Sequence, residues 1–207
     1  MIRFNNLSAL AGVDHGITEK GDEAPAGLVR GQQTHGNGFA WIENTNKLIV
    51  PKVDALATRA AGLTLGVYTA DCVSILFADE RSGVVGTIHA GWRGTALDIT
   101  RQAIESLKIH PNNLKVGIGP AICLNCFEVG EEVAKQFDAA HVRPSEEAEG
   151  KYFIDLWQAN VDLALEAGVK QSNIEVIRRC TLEDDALYSF RQGDRDDRQV
   201  SWIVRNE

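Results

Sequence analysis

The segment from Leu63 to His89, LTLGVYTADCVSILFADERSGVVGTIH, is the strongest constraint on what this chain can fold into. Leu63–Tyr68 and Val73–Phe77 are short runs rich in β-forming residues, separated by the small-polar break TADC, and GVVGTIH supplies a third run that ends at His89. Apolar runs of this length, bounded by Gly and small polar residues, belong to buried strands. Three in succession commit the middle of the chain to the interior of a sheet.

The flanking segments add helices and further strands. TALDITRQAIESLKI places Ala96, Ile99, Ala103 and Leu107 at helical spacing, with Thr95 as the expected N-cap. LKVGIGPAI reads as a strand that Pro120 ends. EVGEEVAKQF and DLWQANVDLALEAG read as amphipathic helices, the second capped by Asp155 and stopped by Gly168. IEVIRRC and QVSWIVR close the chain as strands; RPSEEAEGKY reads as an exposed loop and RQGDRDDRQ as a turn between the two late strands. Strands and helices are interleaved without a strict βαβ rhythm. The expectation is α+β: a single domain, 1–207, built on a large mixed β-sheet flanked by helices.

Composition narrows the partners. A net charge of −8 argues against nonspecific binding to nucleic acid or an anionic membrane surface, while leaving room for a local basic pocket. No apolar run approaches the roughly 20 residues a membrane helix needs. The N-terminal stretch MIRFNNLSALAGVDHG has no basic leader followed by a long apolar core. With four cysteines read as reduced thiols, a cytoplasmic location is expected.

Three residues at strand ends or breaks carry chemistry: His35 in QQTHGNG, Cys72 in TADCV and His89 in TIHAGWRG. Two imidazoles and a thiolate make a sound ligand set for zinc, with a fourth position left open, as catalytic zinc sites have. The three are 37 and 17 positions apart, which is not a zinc-finger spacing, so only the fold could assemble them. Each residue also has a plainer reading: Cys72 as a small buried hydrophobe, the histidines as hydrogen-bonded loop or core residues. Arg93 suits a phosphate or carboxylate oxygen, or a structural bridge to a carboxylate. Asp71 reads either as a partner for the free N–H of a metal ligand or as a turn cap, and Gln33 as a donor to substrate or a brace for its loop. Cys123 and Cys126, in CLNC, read as structural thiols, because no second cysteine pair completes a zinc knuckle. GIGPA lacks the full dinucleotide fingerprint.

QTHG, TADCVSILF, HAGWRG, GPAI…CFEVG and CT…YSFR stand in this order, and from Gln33 onward the chain resembles the YfiH-like family. That family is also labelled multicopper polyphenol oxidase or laccase-domain, includes purine nucleoside phosphorylases, and is related in fold to the cytotoxic necrotizing factor catalytic domain. The resemblance implies that His35, Cys72 and His89 bind zinc, with copper substitution in the same site, and that His35, Cys72, His89, Arg93 and Asp71 form the catalytic group. Gln33, Arg93 and Arg191 would meet substrate. Where many relatives carry an arginine this chain has Gln32, with Arg30 close but out of register; Gln192 stands where a second arginine after Arg191 is expected, and Arg198 falls where a later family arginine does.

The activity so implied is a zinc-dependent purine nucleoside phosphorylase acting on adenosine, inosine or methylthioadenosine with phosphate, with adenosine deaminase capability. The partners would be those small molecules, without nucleic acid or membrane, and a homodimer is compatible with the reading. The zinc-deaminase signature His-x-Glu…Pro-Cys-x-x-Cys is absent, since Ala90 and Gly91 follow His89 and no proline precedes Cys123. Two alternatives remain: a copper-dependent polyphenol oxidase, and a hydrolase that edits cell-wall precursor peptides through Cys72 as nucleophile. Against copper, the chain has five histidines and its single methionine is Met1. Stripping the metal would unfold a zinc-stabilised binding module, whereas a catalytic site would lose activity with its fold intact.

Overall fold

The apolar segment in the middle of the chain forms the two innermost strands. Val73–Asp79 and Val84–Ala90 are buried at every position and pair antiparallel, with Ser74 opposite His89. They lie at the centre of a six-stranded mixed sheet ordered Ile174–Val176, Lys115–Ile118, Val73–Asp79, Val84–Ala90, Ala55–Thr58, Phe39–Trp41. These assignments come from a computed structural model that describes residues 1–44 and 47–206.

The near-continuous hydrophobicity of these strands follows from burial on both faces. Val73, Ile75 and Phe77 pack with Ile99 and Ala103 of one helix (Ile99–Ser106) and Trp157 and Val161 of another (Leu156–Glu166). Leu76 and Ala78, on the opposite face, pack with Leu65, Ile203, Phe4 and Leu7. Leu65 and Ile203 belong to a second mixed sheet of five strands, ordered Val13–Ile17, Gln199–Arg205, Leu65–Thr69, Val29–Gly31, Ile49–Val50. The result is three layers: helices, six-stranded sheet, five-stranded sheet. A small third sheet, Glu128–Gly130, Lys151–Ile154 and Val142–Pro144, lies outside both large ones.

The α+β class agrees with the sequence, but the strands are shared among three sheets and not gathered into one. Leu63–Tyr68 becomes Leu65–Thr69 and joins the five-stranded sheet, while Val73–Asp79 joins the other, so the TADC break is where the chain changes layer. The helix expected from Thr95 is in fact two, Trp92–Ala96 and Ile99–Ser106, broken at Asp98, whose φ is 58°. Thr95 is inside the first and bonds back to the Ala90 carbonyl, so it is not a cap. EVGEEVAKQF begins as a strand, pairing Val129 with Tyr152, and leaves only a four-residue helix, Glu131–Ala134. Strand pairing here satisfies backbone groups that a short isolated helix would leave open. Asp155 does cap its helix, accepting from the Gln158 N–H at 2.9 Å, and Gly168 at φ 90° ends it.

His15 ties the N-terminal helix to the second sheet. It is 1 % exposed, stacks on Phe4, and its Nε2 accepts the Phe4 N–H at 2.9 Å. Burial, reinforced by the nearby Arg3 charge, holds its pKa down to about 4 against an ordinary 6.5. Between these values the unfolded chain binds a proton that the native chain refuses, so stability falls as pH drops from 6.5 towards 4. The expected loss is on the order of 3 kcal/mol. Urea denaturation midpoints measured across this window should show it, and His15→Gln, which keeps an acceptor without titrating, should flatten the slope.

Candidate metal centre

Strand pairing explains the 17-residue spacing of Cys72 and His89. Cys72 immediately precedes the Val73–Asp79 strand, and Val73 pairs with Ala90, so the thiol and the imidazole arrive at the same end of one hairpin. His35 comes from elsewhere: its loop carries the chain from Val29–Gly31 in the five-stranded sheet to Phe39–Trp41 in the six-stranded one. One ligand atom from each of the three residues lies within 4.8 Å of the other two, and the imidazoles of His35 and His89 meet edge to face with centroids 4.8 Å apart.

Asp54, to which the sequence reading gave no role, organises this meeting. It is 1 % exposed. Its Oδ1 lies 2.8 Å from His89 Nδ1 and accepts the His35 backbone N–H at 2.9 Å. Its Oδ2 accepts the backbone N–H groups of Thr34 and Gly36 and the Thr34 hydroxyl. One carboxylate therefore sets the ring orientation of one ligand and the loop conformation of another. The loop needs that support, because Gln33 and His35 have φ of 56° and 59°, in the left-handed region that non-glycine residues seldom occupy. With Nδ1 directed at Asp54, His89 has Nε2 left for a metal, the arrangement that carboxylate partners impose on zinc-binding histidines.

Protonation equilibria agree with the geometry. Burial pushes the Asp54 carboxyl up, but its hydrogen bonds to His89 and to the Gly36 and His35 N–H groups outweigh this and hold it low. Burial likewise disfavours the Cys72 thiolate, yet hydrogen bonds from His35 and His89 bring the thiol down to about 6. His89 rises to about 9 despite burial, through Asp54 and Cys72. The thiolate is the ligand form of cysteine and also its nucleophilic form.

Space for an ion is reserved by glycine. A Cβ on Gly91 would stand 3.0 Å from Cys72 Sγ and 3.0 Å from His35 Cδ2. One on Gly94 would meet the Gly36 carbonyl at 2.8 Å, so Gly94 lets the Trp92–Ala96 helix close against the His35 loop. The donor set and this cradle fit a divalent metal held by three protein ligands.

The three residues lie on a cavity of about 590 Å³. Arg30, Arg93, Arg191 and Arg198 line it, with Asp71 the single carboxylate among the lining residues. Tyr68, Trp92, Phe127 and Phe190 provide aromatic walls. Arg93 stacks on Trp92 at 4.4 Å and pairs with no carboxylate among the described residues, so the structural-bridge reading fails. Arg191 is anchored to the carbonyls of Cys126 and Glu128, each at 3.3 Å. Arg30 stacks on Tyr68 at 5.0 Å; although out of register with the family pattern, it reaches the cavity that Gln32 does not line.

The geometry separates the readings of Asp71 and Gln33. Asp54, and not Asp71, holds His35 and His89. Asp71, at φ 79°, accepts from the Thr181 hydroxyl at 2.6 Å and the Arg191 N–H at 2.7 Å, which fastens the C-terminal connection over the cavity. Gln33 faces the cavity and its amide grips Tyr68, donating to its carbonyl at 2.7 Å and accepting from its N–H at 2.9 Å, with a second N–H left over. It braces the loop. The RQGDRDDRQ segment is no simple turn between strands: it ends a long connection that supplies Phe190, Arg191 and Arg198 to the cavity.

Strands of two sheets thus deliver two imidazoles and a thiolate to one end of an α+β fold, a donor group that could hold a metal ion beside a basic, aromatic cavity. The family described as multi-copper polyphenol oxidoreductase laccase matches residues 17–206, and the chain belongs to that family. A relative named adenosine deaminase RL5, from an unknown prokaryotic organism, is 36 % identical over 182 residues, covering 80 % of this chain and 70 % of the relative. One named purine nucleoside phosphorylase, from Bacteroides thetaiotaomicron, is 34 % identical over 207 residues, covering 91 % and 77 %. The crystal structure of YlmD from Geobacillus stearothermophilus has the same fold, with a TM-score of 0.86 and 29 % identity over 99 % of this chain and 94 % of that one.

The Asp54 arrangement has a measurable consequence. Asp54→Asn keeps the side-chain shape but removes the charge that orients His89, so affinity for zinc at the centre should fall roughly ten- to a hundredfold. Competition with a chromophoric chelator measures this, and an unchanged affinity would remove Asp54 from the supporting role.

Proposed function

We propose that this chain is a zinc-dependent purine nucleoside phosphorylase that also deaminates adenosine. The observation that carries the reading is the juxtaposition of a three-donor metal centre with four guanidinium groups in one cavity. A volume of about 590 Å³ suits a small-molecule ligand. The names of the relatives from the unknown prokaryote and from Bacteroides thetaiotaomicron supply the substrate class.

His35, Cys72 and His89 would hold the ion, which supplies Lewis acidity and water activated near neutral pH. The chain's own residues do the rest. The aromatic walls take the flat face of the base, where stacking tolerates different purines. The arginines hold phosphate by charge-assisted hydrogen bonds, Arg93 most directly because Arg30, Arg191 and Arg198 already donate to backbone carbonyls. Phosphate held against the anomeric carbon attacks as the base departs. Without phosphate, the same cavity presents the amino-bearing carbon of adenine to water.

The polyphenol oxidase reading fits the donor inventory poorly. Of the five histidines only His35 and His89 line the cavity; His15 is engaged with Phe4, His141 with Asp162, His110 stands outside it, and Met1 packs near Gly16. A conventional multicopper cluster needs more. The hydrolase reading has one observation in its favour: Cys72, His89 and Asp54 form a thiolate–imidazolium–carboxylate series, the arrangement of a cysteine nucleophile.

Adenosine incubated with zinc-loaded protein should yield adenine or hypoxanthine only when phosphate is present, and inosine without it; His89→Ala should lose both activities. Arg93→Ala should lower phosphorolysis roughly ten- to a hundredfold, the loss of a charge-assisted hydrogen bond of about 1.5–3 kcal/mol, with a smaller effect on deamination. Absence of all these products from fully loaded protein would reject the nucleoside assignment. Hydrolysis of a peptide substrate that survives chelation would favour Cys72 as nucleophile.

A further inference from the structure

Two turns, one of them reaching the cavity through its flanking Ile122 and Phe127, bring together a second set of soft donors. Cys123, Cys126, Cys180 and Glu183 each offer a ligand atom within 4.8 Å of the other three. We infer that these four residues form a structural zinc site, distinct from the His35–Cys72–His89 centre.

The pattern is Cys-x-x-Cys followed by Cys-x-x-Glu, two half-sites 54 positions apart in which glutamate stands where a zinc ribbon has its fourth cysteine. In each half the first cysteine's carbonyl receives two successive N–H groups: Cys126 and Phe127 on Cys123, Glu183 and Asp184 on Cys180. Both halves are thus tight turns that bring donors at i and i+3 to one side. The Cys123 N–H points at Cys180 Sγ at 3.3 Å, which holds the two turns against each other. Both Glu183 oxygens already face sulfur, Oε1 at 3.5 Å from Cys126 and Oε2 at 3.9 Å from Cys123. Ligands of a tetrahedral zinc ion lie about 3.8 Å apart for Zn–S bonds of about 2.3 Å, so small side-chain rotations close the site.

Donor number and type assign the role. Three thiolates select zinc over hard cations, and four protein donors leave no open position, the mark of a structural site; the first centre has three. Loading zinc releases the three thiol protons to solvent and leaves three thiolates and one carboxylate around one dication. The site's place in the fold gives it a purpose. It clips the turn after Ile122 to the turn after Cys180; otherwise these are joined by the Ala121–Cys180 bridge and the Thr181 N–H bond to Ala121. Cys126 also offers its carbonyl to Arg191, so the clip fixes the base on which that guanidinium rests.

Zinc counted by plasma mass spectrometry in the full chain, purified without chelator, is expected at two equivalents per chain. Cys126→Ser and Cys123→Ser, both at partly exposed positions, should each lose one, and His89→Ala should lose the other. Cobalt(II) loaded into His89→Ala should give thiolate-to-cobalt charge transfer and intense tetrahedral visible bands, which vanish when Cys126→Ser is added. Glu183→Ala should hold the ion more weakly against a chelator, and equal affinity would remove Glu183 from the site. A folded His89→Ala protein that holds no zinc and gives no such cobalt spectrum overturns the inference, as does a Cys123–Cys126 disulfide in the fresh wild-type chain.

Discussion

The Asp54 carboxylate is the interaction on which the centre depends. A buried ionised carboxylate is unfavourable unless its lone pairs are filled, and Asp54 fills them with three backbone N–H groups, a hydroxyl and an imidazole. The same bonds that stabilise the charge hold His35 in a left-handed conformation and aim His89. Ligand geometry is therefore set before any ion arrives, and Gly91 and Gly94 keep the surrounding backbone from filling the space. The hydrogen bonds between them offset both the strain in the His35 loop and the desolvation of Asp54.

Charge is distributed with equal economy. The chain carries a net charge of −8, yet its main cavity has four arginines against one carboxylate, and that carboxylate is engaged with Thr181 and the Arg191 backbone. A low-dielectric wall around unpaired guanidinium groups concentrates positive potential where a small anion can bind. The acidic remainder discourages polyanions from the rest of the surface. Global charge and local charge thus select for different partners, and only the second describes the site.

Some of this was legible in the sequence. The buried strands, the Asp155 cap and the residue types of the ligand trio all follow from local pattern or from family motifs, because each depends on neighbours a few positions away. The break at Asp98 and the strand at Glu128–Gly130 did not, since helical spacing in short segments yields to tertiary pairing of the backbone. Asp54 was overlooked for a related reason. It sits in an unremarkable PKVDALAT stretch, and its partners are 18 to 35 residues distant in sequence. The one available signal was an acidic residue directly ahead of the fully buried Ala55–Thr58 strand.

The sequence alone determined which chemistries were available: a two-His, one-Cys ligand set, arginines for an anion, and apolar strands sufficient to exclude water around them. That Cys72 and His89 meet came from the antiparallel pairing of their two strands, which the spacing alone did not reveal. Only the tertiary structure decided that His35 joins them, that Asp54 and not Asp71 holds His35 and His89, that Arg30 reaches the cavity which Gln32 does not line, and that Cys180 and Glu183 stand beside Cys123 and Cys126. Each of these depends on the stacking of two sheets or the docking of distant turns. Such contacts are fixed by the packing of the whole core, and no local window of residues encodes them.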